Sequence, residues 1–491
     1  MQEYSPRRRT ALVFAGTGTS GAYHAGALKA LDEGGVKIDL VVGTGIGTLA
    51  ATFAAVAGGP RLYGPGGFWE GAHRRALYRL RFAARAAWAI MGMAFAVFLL
   101  PVLAAVLAGI LVVPVLILDL IAPGFASRTL AALDATPDAL RGLYLSALAV
   151  PSFLISLLAG ISAAWALLRE RRRASEWLEY LMDTRPARKR TLTRLWEVTH
   201  GTALATSLPS EDEVGRRVVA LVTESLGQPG FRELILRATD LEMGRAASFM
   251  LLSDEWRAAF QMARRTATAE GAQRVIDLRS PGLEAFLADA LLAGLLAPLL
   301  APLRRLVFQK TGLLPGGTRR FTDASLAQGC GLADALAAGA EQVILVLGIP
   351  VQPINWTARR GPWAAVDALL AASERTGTEA ELAETERLNR VVETVGHPGA
   401  DGRREWQDPL TGRVVRAVEV YVIRPERRVL GPLGFDGVRD STSDLVETPA
   451  DLLEHGYRDA HRLFLGPVVG ASAAPGDSVG HNTAADRLLR P

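Results

Sequence analysis

The fold of this 491-residue chain is decided by a short stretch that reads Val41-Val42-Gly43-Thr44-Gly45-Ile46-Gly47. It follows an apolar strand pattern over residues 38–42 and leads into a helical run that contains Leu49 and Phe53. A strand that turns sharply between two glycines into a helix is the frame of a nucleophile elbow, in which a serine holds the central position. The central residue here is Gly45, so the frame is present and the hydroxyl is absent.

A second glycine-rich turn precedes the elbow. Residues 11–15 are apolar and predict a buried parallel strand, which runs into Gly16-Thr17-Gly18-Thr19-Ser20-Gly21. A helix with apolar residues at helical spacing follows, so residues 11–58 predict the β-α-β-α beginning of a parallel sheet. The backbone N–H groups of such a loop, close to a helix N-terminus, can stabilise a developing oxyanion.

The same loop also fits the Gly-x-Gly-x-x-Gly pattern of dinucleotide-binding folds, through Gly16, Gly18 and Gly21. That fingerprint requires an acidic residue about 20 positions further on, at the end of the second strand. Here the second strand ends in the elbow, and Asp39 lies at its start. A nucleotide site therefore rests on the loop alone, and a plain strand-to-helix turn is a further alternative.

Composition points to a membrane. Hydrophobic residues make up 49% of the chain, and the mean hydropathy is +0.20, which is high for a protein without membrane segments. The formal charge is +4, and the basic residues cluster beside apolar runs, which favours membrane flanks over a nucleic-acid surface. The single cysteine, Cys330, excludes an intrachain disulfide, and no His-Glu-x-x-His motif is present, so we expect no metal and no cofactor.

Two long runs carry no charged residue, at 86–118 and 142–168. As helices they would be about 50 Å and 40 Å long, against a hydrocarbon core of roughly 30 Å. They predict a transmembrane hairpin with spans at about 88–118 and 143–168, the first broken or tilted near Pro114. Arginines flank the outer ends of the pair, so the positive-inside rule predicts that both ends are cytoplasmic. We therefore expect an integral protein of a bacterial-type inner or plasma membrane, with its main domain in the cytoplasm.

The glycine loop, the elbow and a downstream Asp segment together resemble the patatin-like phospholipase family. The family loop runs Gly-Gly-Gly-x-Arg/Lys-Gly, and its four glycine positions correspond here to Gly16, Thr17, Gly18 and Gly21. The next helix of the family often begins with Ala-Tyr-x-x-Gly, and here it begins with Ala22-Tyr23-His24-Ala25-Gly26. The family elbow is Gly-Thr-Ser-x-Gly, and Gly43, Thr44 and Gly47 match it around Gly45. The resemblance implies an α/β fold: a patatin-like parallel-sheet domain with helices on both faces, here interrupted by the inserted hairpin.

The resemblance also assigns the second half of a Ser–Asp dyad. The segment Phe321-Thr322-Asp323-Ala324-Ser325 stands where the family places its general base, so Asp323 is the retained dyad position and Gly45 the nucleophile position without a side chain. The segment departs from the family pattern at Ala324 and Ser325, and again at Gly329 and Gly331. The resemblance likewise implies that the glycine loop, with Thr17 as a departure, forms the oxyanion hole.

These features predict five regions. The first and second parts of the patatin-like domain are 11–60 and 210–347, separated by an insertion at 61–209 that contains the hairpin. A C-terminal accessory region at 348–469 and a disordered tail at 470–491 follow.

The expected function is that of a catalytically impaired, lipid-binding pseudoenzyme of the lipid acyl hydrolase family. Its expected partners are a membrane lipid or acyl chain and the bilayer itself, with no nucleic acid. Two alternatives remain open: an active lipid acyl hydrolase with an unidentified nucleophile, and a nucleotide-binding membrane protein.

The hairpin predicts a topology that cysteine labelling tests. With Cys330 replaced, we expect a cysteine at position 130 to react with an impermeant reagent from the outer face, while cysteines near both termini react only after the membrane is broken. Labelling of position 130 only after lysis would contradict the hairpin.

Overall fold

The structure is a computed structural model, and it describes only part of the chain. The described residues are 4–72, 77, 79–80, 92, 110, 114, 117–118, 120–124, 127–128, 158, 182–200, 208–265, 275–295, 303–308, 317–324, 329–352, 364–399, 402–409, 412, 414–426, 438–439 and 446–470.

The predicted spans at 88–118 and 143–168 lie outside the described residues, apart from single positions, and so do Ser325 and the tail beyond Gly470. Among the helices that the structure does describe, none has the length and apolar character needed to cross a bilayer.

Helices and strands alternate through the first part of the chain, as the periodicity predicts. The helices are α1 (Ser20–Glu33), α2 (Gly47–Ala55), α3 (Pro60–Tyr63), α4 (Arg185–His200), α5 (Glu211–Ser225), α6 (Asp254–Arg265), α7 (Phe286–Leu295), α8 (Leu332–Ala337), α9 (Ala364–Val395) and α10 (Pro449–Ala460), the last continued by a π-helical segment at His461–Val469. The strands are β1 (Thr10–Gly16), β2 (Leu40–Gly45), β3 (Arg79–Leu80), β4 (Met182–Asp183), β5 (Glu233–Asp240), β6 (Arg245–Leu251), β7 (Val275–Asp277), β8 (Arg304–Phe308), β9 (Gly317–Asp323), β10 (Gln342–Leu347), β11 (His397–Pro398), β12 (Arg404–Gln407), β13 (Val414–Arg416), β14 (Glu419–Ile423), β15 (Val438–Arg439) and β16 (Val446–Glu447).

The chain divides into two compact units, Met1–Arg79 with Thr184–Pro491, and Leu80–Asp183. The first unit contains a nine-stranded sheet in the order β14-β10-β1-β2-β5-β6-β7, with β9 on β5 and β8 on β9. The pairs from β14 to β5 and the pair β6–β7 are parallel, whereas β5–β6, β5–β9 and β8–β9 are antiparallel. An α/β fold with a mostly parallel sheet is therefore confirmed, and the sheet extends past residue 347 to include β14.

Helices cover both faces of this sheet. Every residue of β1 is buried, and alternate residues of a strand point to opposite faces. Ala11 and Val13 belong to a core that includes Leu332 of α8, whereas the ring of Phe14 lies 5.4 Å from that of His24 on α1. A strand buried on both faces explains the unbroken apolar run.

One edge of β5 pairs with two strands placed end to end. Its first part pairs with β2 up to Thr44↔Arg237, and its last part pairs with β9 from Ala238↔Asp323. The final residues of β2 and β9 therefore meet beside the middle of β5, although more than 270 residues separate them in sequence.

The C-terminal helix α10 packs closely on α1. A Cβ at Gly26 would lie less than 3.0 Å from the carbonyl oxygen of Leu453, and one at Gly456 equally close to the carbonyl of Tyr23. The Tyr23 hydroxyl donates to Asp459 at 3.0 Å, and burial raises the pKa of Tyr23 well above its usual value. This crossing fixes α1, whose first turn belongs to the glycine loop.

The crossing predicts the effect of Gly26→Ala. Alanine favours a helix over glycine by about 1 kcal/mol, but the collision with the Leu453 carbonyl is overpacking that costs about 1–3 kcal/mol. We expect a lower midpoint of thermal unfolding, measured by circular dichroism in detergent. The control is Gly470→Ala, whose Cβ would meet its nearest atom at 3.5 Å, and an unchanged midpoint in Gly26→Ala would contradict the close crossing.

Candidate active site

The elbow is built as its glycines require. Gly45 ends β2 with a φ of +63°, a region that glycine enters without steric cost. A Cβ at Gly43 would collide with the backbone of Thr48, and one at Gly47 with the carbonyl of Phe14. The hydroxyl of Thr48 donates to the carbonyl oxygen of Gly45 at 2.8 Å and ties the turn to α2. All three glycines are therefore explained by backbone packing.

The structure brings Asp323 to the empty position of the elbow. A Cβ at Gly45 would lie 3.1 Å from Oδ1 of Asp323, and Asp323 is 1% exposed. Its backbone is fixed by the hydroxyl of Thr239, which donates to the Asp323 carbonyl at 3.1 Å. The two positions of the predicted dyad are thus side by side at the junction of β2 and β9.

The glycine loop is closed onto the elbow. The N–H of Ile46 donates to the carbonyl oxygen of Gly16 at 2.9 Å. In hydrolases with a nucleophile elbow, the N–H of the residue after the nucleophile is one of the oxyanion donors. That donor is engaged here by the protein's own backbone. The same Gly16 carbonyl oxygen would lie less than 3.0 Å from a Cβ at Gly45.

Trp69 packs against the last glycine of the loop, Gly21. A Cβ at Gly21 would lie less than 3.0 Å from both the Trp69 ring and the side chain of Ile46. Trp69 itself is 3% exposed and stacks edge to face on Phe68 with ring centroids 5.1 Å apart. Gly21 therefore lets an indole lie against the first turns of α1 and α2, and sequence reasoning missed this residue because it falls in the predicted insertion.

Helix α9 supplies a buried acid to the loop. The hydroxyl of Thr17 donates to Oε2 of Glu374 at 3.5 Å, and these residues are 0% and 6% exposed. Thr17 is the position at which the loop departs from the family's second glycine. The departure is therefore matched by a carboxylate from the predicted accessory region.

A second acid of α9 organises the segment after Asp323. Oε2 of Glu381 accepts from the N–H groups of Gly331 at 3.0 Å and Leu332 at 2.8 Å, and from the thiol of Cys330 at 3.2 Å. Burial raises the pKa of Cys330 well above its usual value. A Cβ at Gly329 would collide with the Glu381 side chain, so the absence of a side chain at Gly329 accommodates this contact.

One sequence pattern in α9 is connected with its contacts to the site. Glu374 and Glu381 share a helix face with two buried threonines, Thr378 and Thr385, at spacings of four, three and four residues. A polar stripe that repeats at the helical period normally faces water. Only the tertiary structure shows that this stripe faces the site.

The hydroxyls of Thr17, Ser20 and Thr48 are candidates for an unidentified nucleophile. Thr17 donates to Glu374 and Thr48 to the Gly45 carbonyl, while the Ser20 hydroxyl finds no hydrogen-bond partner among the described residues. None of the three is bonded to Asp323. Within the same described residues, no cluster of three or more His, Cys, Asp or Glu side chains has the arrangement of a metal site.

Comparison with known proteins confirms the resemblance that the motifs predict. The family described as "Patatin-like phospholipase" matches residues 12–117, which include the glycine loop and the elbow. No match is found among curated proteins. The crystal structure of VipD from Legionella pneumophila is similar at a TM-score of 0.29 and 10% identity, over 94% of this chain and 67% of that one.

The closed loop predicts how the elbow responds to a side chain. The control is Gly66, which has a φ of +70° and no atom within 4 Å of a Cβ position. Gly66→Ala should therefore lower the free energy of unfolding only through the strain of a left-handed backbone, by about 1–2 kcal/mol. Gly45→Ala adds the collision with the Gly16 carbonyl and should lower the free energy of unfolding by about 2–4 kcal/mol in total. Thermal or denaturant unfolding in detergent measures both variants. Equal losses would mean that the Gly16 carbonyl yields without cost.

Proposed function

We propose that this patatin-like protein is a membrane-anchored, lipid-binding pseudoenzyme. The observation that carries the proposal is the geometry of the elbow. Gly45 presents no hydroxyl to Asp323, and the Ile46 N–H that would stabilise an oxyanion is bonded to Gly16. Both defects act on the same chemical step, the attack on an acyl carbonyl.

The size of the first defect is sufficient to abolish useful turnover. In another serine hydrolase, removal of the nucleophile lowers kcat by about 10⁶-fold and leaves a rate about 10³–10⁴ times that in water. The residual activity comes from binding and the oxyanion hole, and here an oxyanion donor is also engaged. The preserved fold around an inert centre therefore supports a binding role.

An acyl ligand is supported by the family and by the apolar surroundings of the elbow. Helix α7 is buried along most of its length and rich in leucine. A Cβ at Gly294 would collide with the Gly45 carbonyl, and the Thr48 hydroxyl also reaches the Leu291 carbonyl at 3.3 Å. An apolar helix thus lies directly against the elbow, and apolar surroundings favour an acyl ligand over a charged one.

The membrane anchor in this proposal is the predicted hairpin at 88–118 and 143–168, with the main domain in the cytoplasm. It is supported by the charge-free runs and their arginine flanks alone.

The two alternatives are unequal. Ser20, at the start of α1, favours a working hydrolase, because the residue is 1% exposed and its hydroxyl has no hydrogen-bond partner in the described part of the chain. The nucleotide site is disfavoured by Asp39, whose carboxylate accepts from the N–H of Thr10 at 2.9 Å and pairs with Lys37 at 3.1 Å. That acid is engaged at the amino end of the sheet, away from the loop.

Covalent probe labelling tests the missing nucleophile. We expect no labelling of the wild-type protein by a fluorophosphonate, because the elbow offers no hydroxyl. Gly45→Ser, if its backbone displaces the Gly16 carbonyl, brings a hydroxyl to Asp323 and releases the Ile46 N–H, so it should gain labelling and measurable hydrolysis of an activated acyl ester.

The control is Gly45→Ser combined with Asp323→Ala, which should lose that gain. Strong labelling of the wild type, abolished by Ser20→Ala, would instead establish the working hydrolase. Mass spectrometry of the detergent-purified protein should detect bound acyl lipid, and bound nucleotide without lipid would contradict the proposal.

A further inference from the structure

The indole N–H of Trp69 is a buried donor whose presence the packing of the protein does not explain. Trp69 is 3% exposed, and within the described residues its Nε1 has no hydrogen-bond partner. A buried donor without a partner costs stability, and the N–H of a buried tryptophan usually finds one. Phenylalanine would offer an aromatic ring for packing without this cost. The N–H therefore indicates an acceptor that the described residues do not supply.

This N–H lies beside the elbow. A Cβ at Gly21 would lie less than 3.0 Å from Cζ2 of the indole and from the side chain of Ile46. Nε1 is attached to the ring atom next to Cζ2, so the N–H is on the same edge of the indole as Cζ2. Ile46 directly follows Gly45 and precedes α2. The donor is therefore close to the position from which the nucleophile is missing.

The surrounding chain holds the indole in place. The backbone N–H of Trp69 donates to the Leu62 carbonyl at 3.2 Å, and Arg190 of α4 donates to the Gly67 carbonyl at 3.3 Å. The guanidinium of Arg190 also lies 5.5 Å from the centre of the Phe68 ring. A group that is fixed before binding loses little entropy when a ligand arrives, so the indole N–H is suited to recognition.

An acyl carbonyl is the acceptor that this position favours. In hydrolases with a nucleophile elbow, the N–H of the residue after the nucleophile donates to the oxygen of the acyl group. Here the Ile46 N–H is bonded to the Gly16 carbonyl at 2.9 Å, and the nearby indole N–H can supply a donor in its place. A hydrogen bond made equally to the resting carbonyl strengthens binding and does not accelerate a reaction.

A fatty-acid carboxylate is a less favourable acceptor than an ester. Asp323 is 1% exposed, and its Oδ1 would lie 3.1 Å from a Cβ at Gly45, the residue before Ile46. Two carboxylates that share a buried site cannot both ionise without cost. An ester carbonyl is neutral and only accepts hydrogen bonds, so it matches the indole N–H and avoids this repulsion.

We propose that Trp69 donates its indole N–H to the ester carbonyl of the bound acyl lipid and so determines specificity for esters. This inference rests on the proposed lipid-binding function and adds the chemical group that the protein recognises. Lipids whose chains are joined by ether bonds lack the carbonyl and should bind less tightly.

A competition between an ester lipid and an ether lipid tests the proposal. The full-length protein in detergent is mixed with equimolar dioleoyl phosphatidylethanolamine and its dioleyl diether analogue, and native mass spectrometry measures both adducts. One variant replaces Trp69 with benzothienylalanine, which keeps the shape of the indole but has sulfur instead of the N–H, and a second is Trp69→Phe. The matched control is Trp256→Phe, because the Trp256 ring lies 4.4 Å from the guanidinium of Arg9, at the amino end of β1 and away from the elbow.

We expect the diester adduct to exceed the diether adduct about three- to tenfold in the wild type and in Trp256→Phe. The ratio should fall to about one in both Trp69 variants, because the hydrogen bond to the carbonyl is lost. Equal adducts in the wild type, or a preference retained in both Trp69 variants, would overturn this inference alone. Displacement of the diester by equimolar oleate would assign the N–H to a carboxylate and overturn the ester. Absence of both adducts would contradict the lipid-binding function itself, and this inference with it.

Discussion

The carbonyl oxygen of Gly16 lies against the backbone of the elbow, and the character of the site depends on that contact. It accepts the hydrogen bond of the Ile46 N–H and occupies the space into which a side chain at Gly45 would project. A serine at this position is incompatible with the contact as it stands. The same contact therefore excludes a side chain at Gly45 and uses the Ile46 N–H, which a catalytic site would need to leave available for an oxyanion.

Helix α9 stabilises this closed state through two carboxylates. Glu374 accepts from Thr17 in the loop, and Glu381 accepts from the backbone that follows Asp323. A buried carboxylate is costly unless it is hydrogen-bonded, and three of the residues that depart from the family pattern lie against the two acids. Thr17, Gly329 and Gly331 thus form a set with α9.

The α/β fold accommodates a glycine at the centre of the elbow because neighbouring strands and helices hold the turn in place. The β2 and β9 ends meet on β5 through backbone pairing alone, so their meeting does not need a serine. Thr48 and Gly294 hold α2 and α7 to the same turn. The frame is consequently insensitive to the loss of its central side chain.

The sequence by itself determined the local parts, which are the strands before the loop and the elbow and the glycines of both turns, whereas Asp323 was placed by the resemblance to the family. These follow from short-range rules, since an apolar run, a glycine at positive φ and a helix of small residues are legible within a dozen residues. Only the tertiary structure decided which groups close the site. The Gly16 contact, the packing of Trp69 on Gly21, the acids of α9 and the pairing of β14 with β10 each join segments that are distant in sequence or carry no distinctive pattern. Their physical cause is packing in three dimensions, which a polar helical stripe or a lone tryptophan in a linear sequence does not reveal.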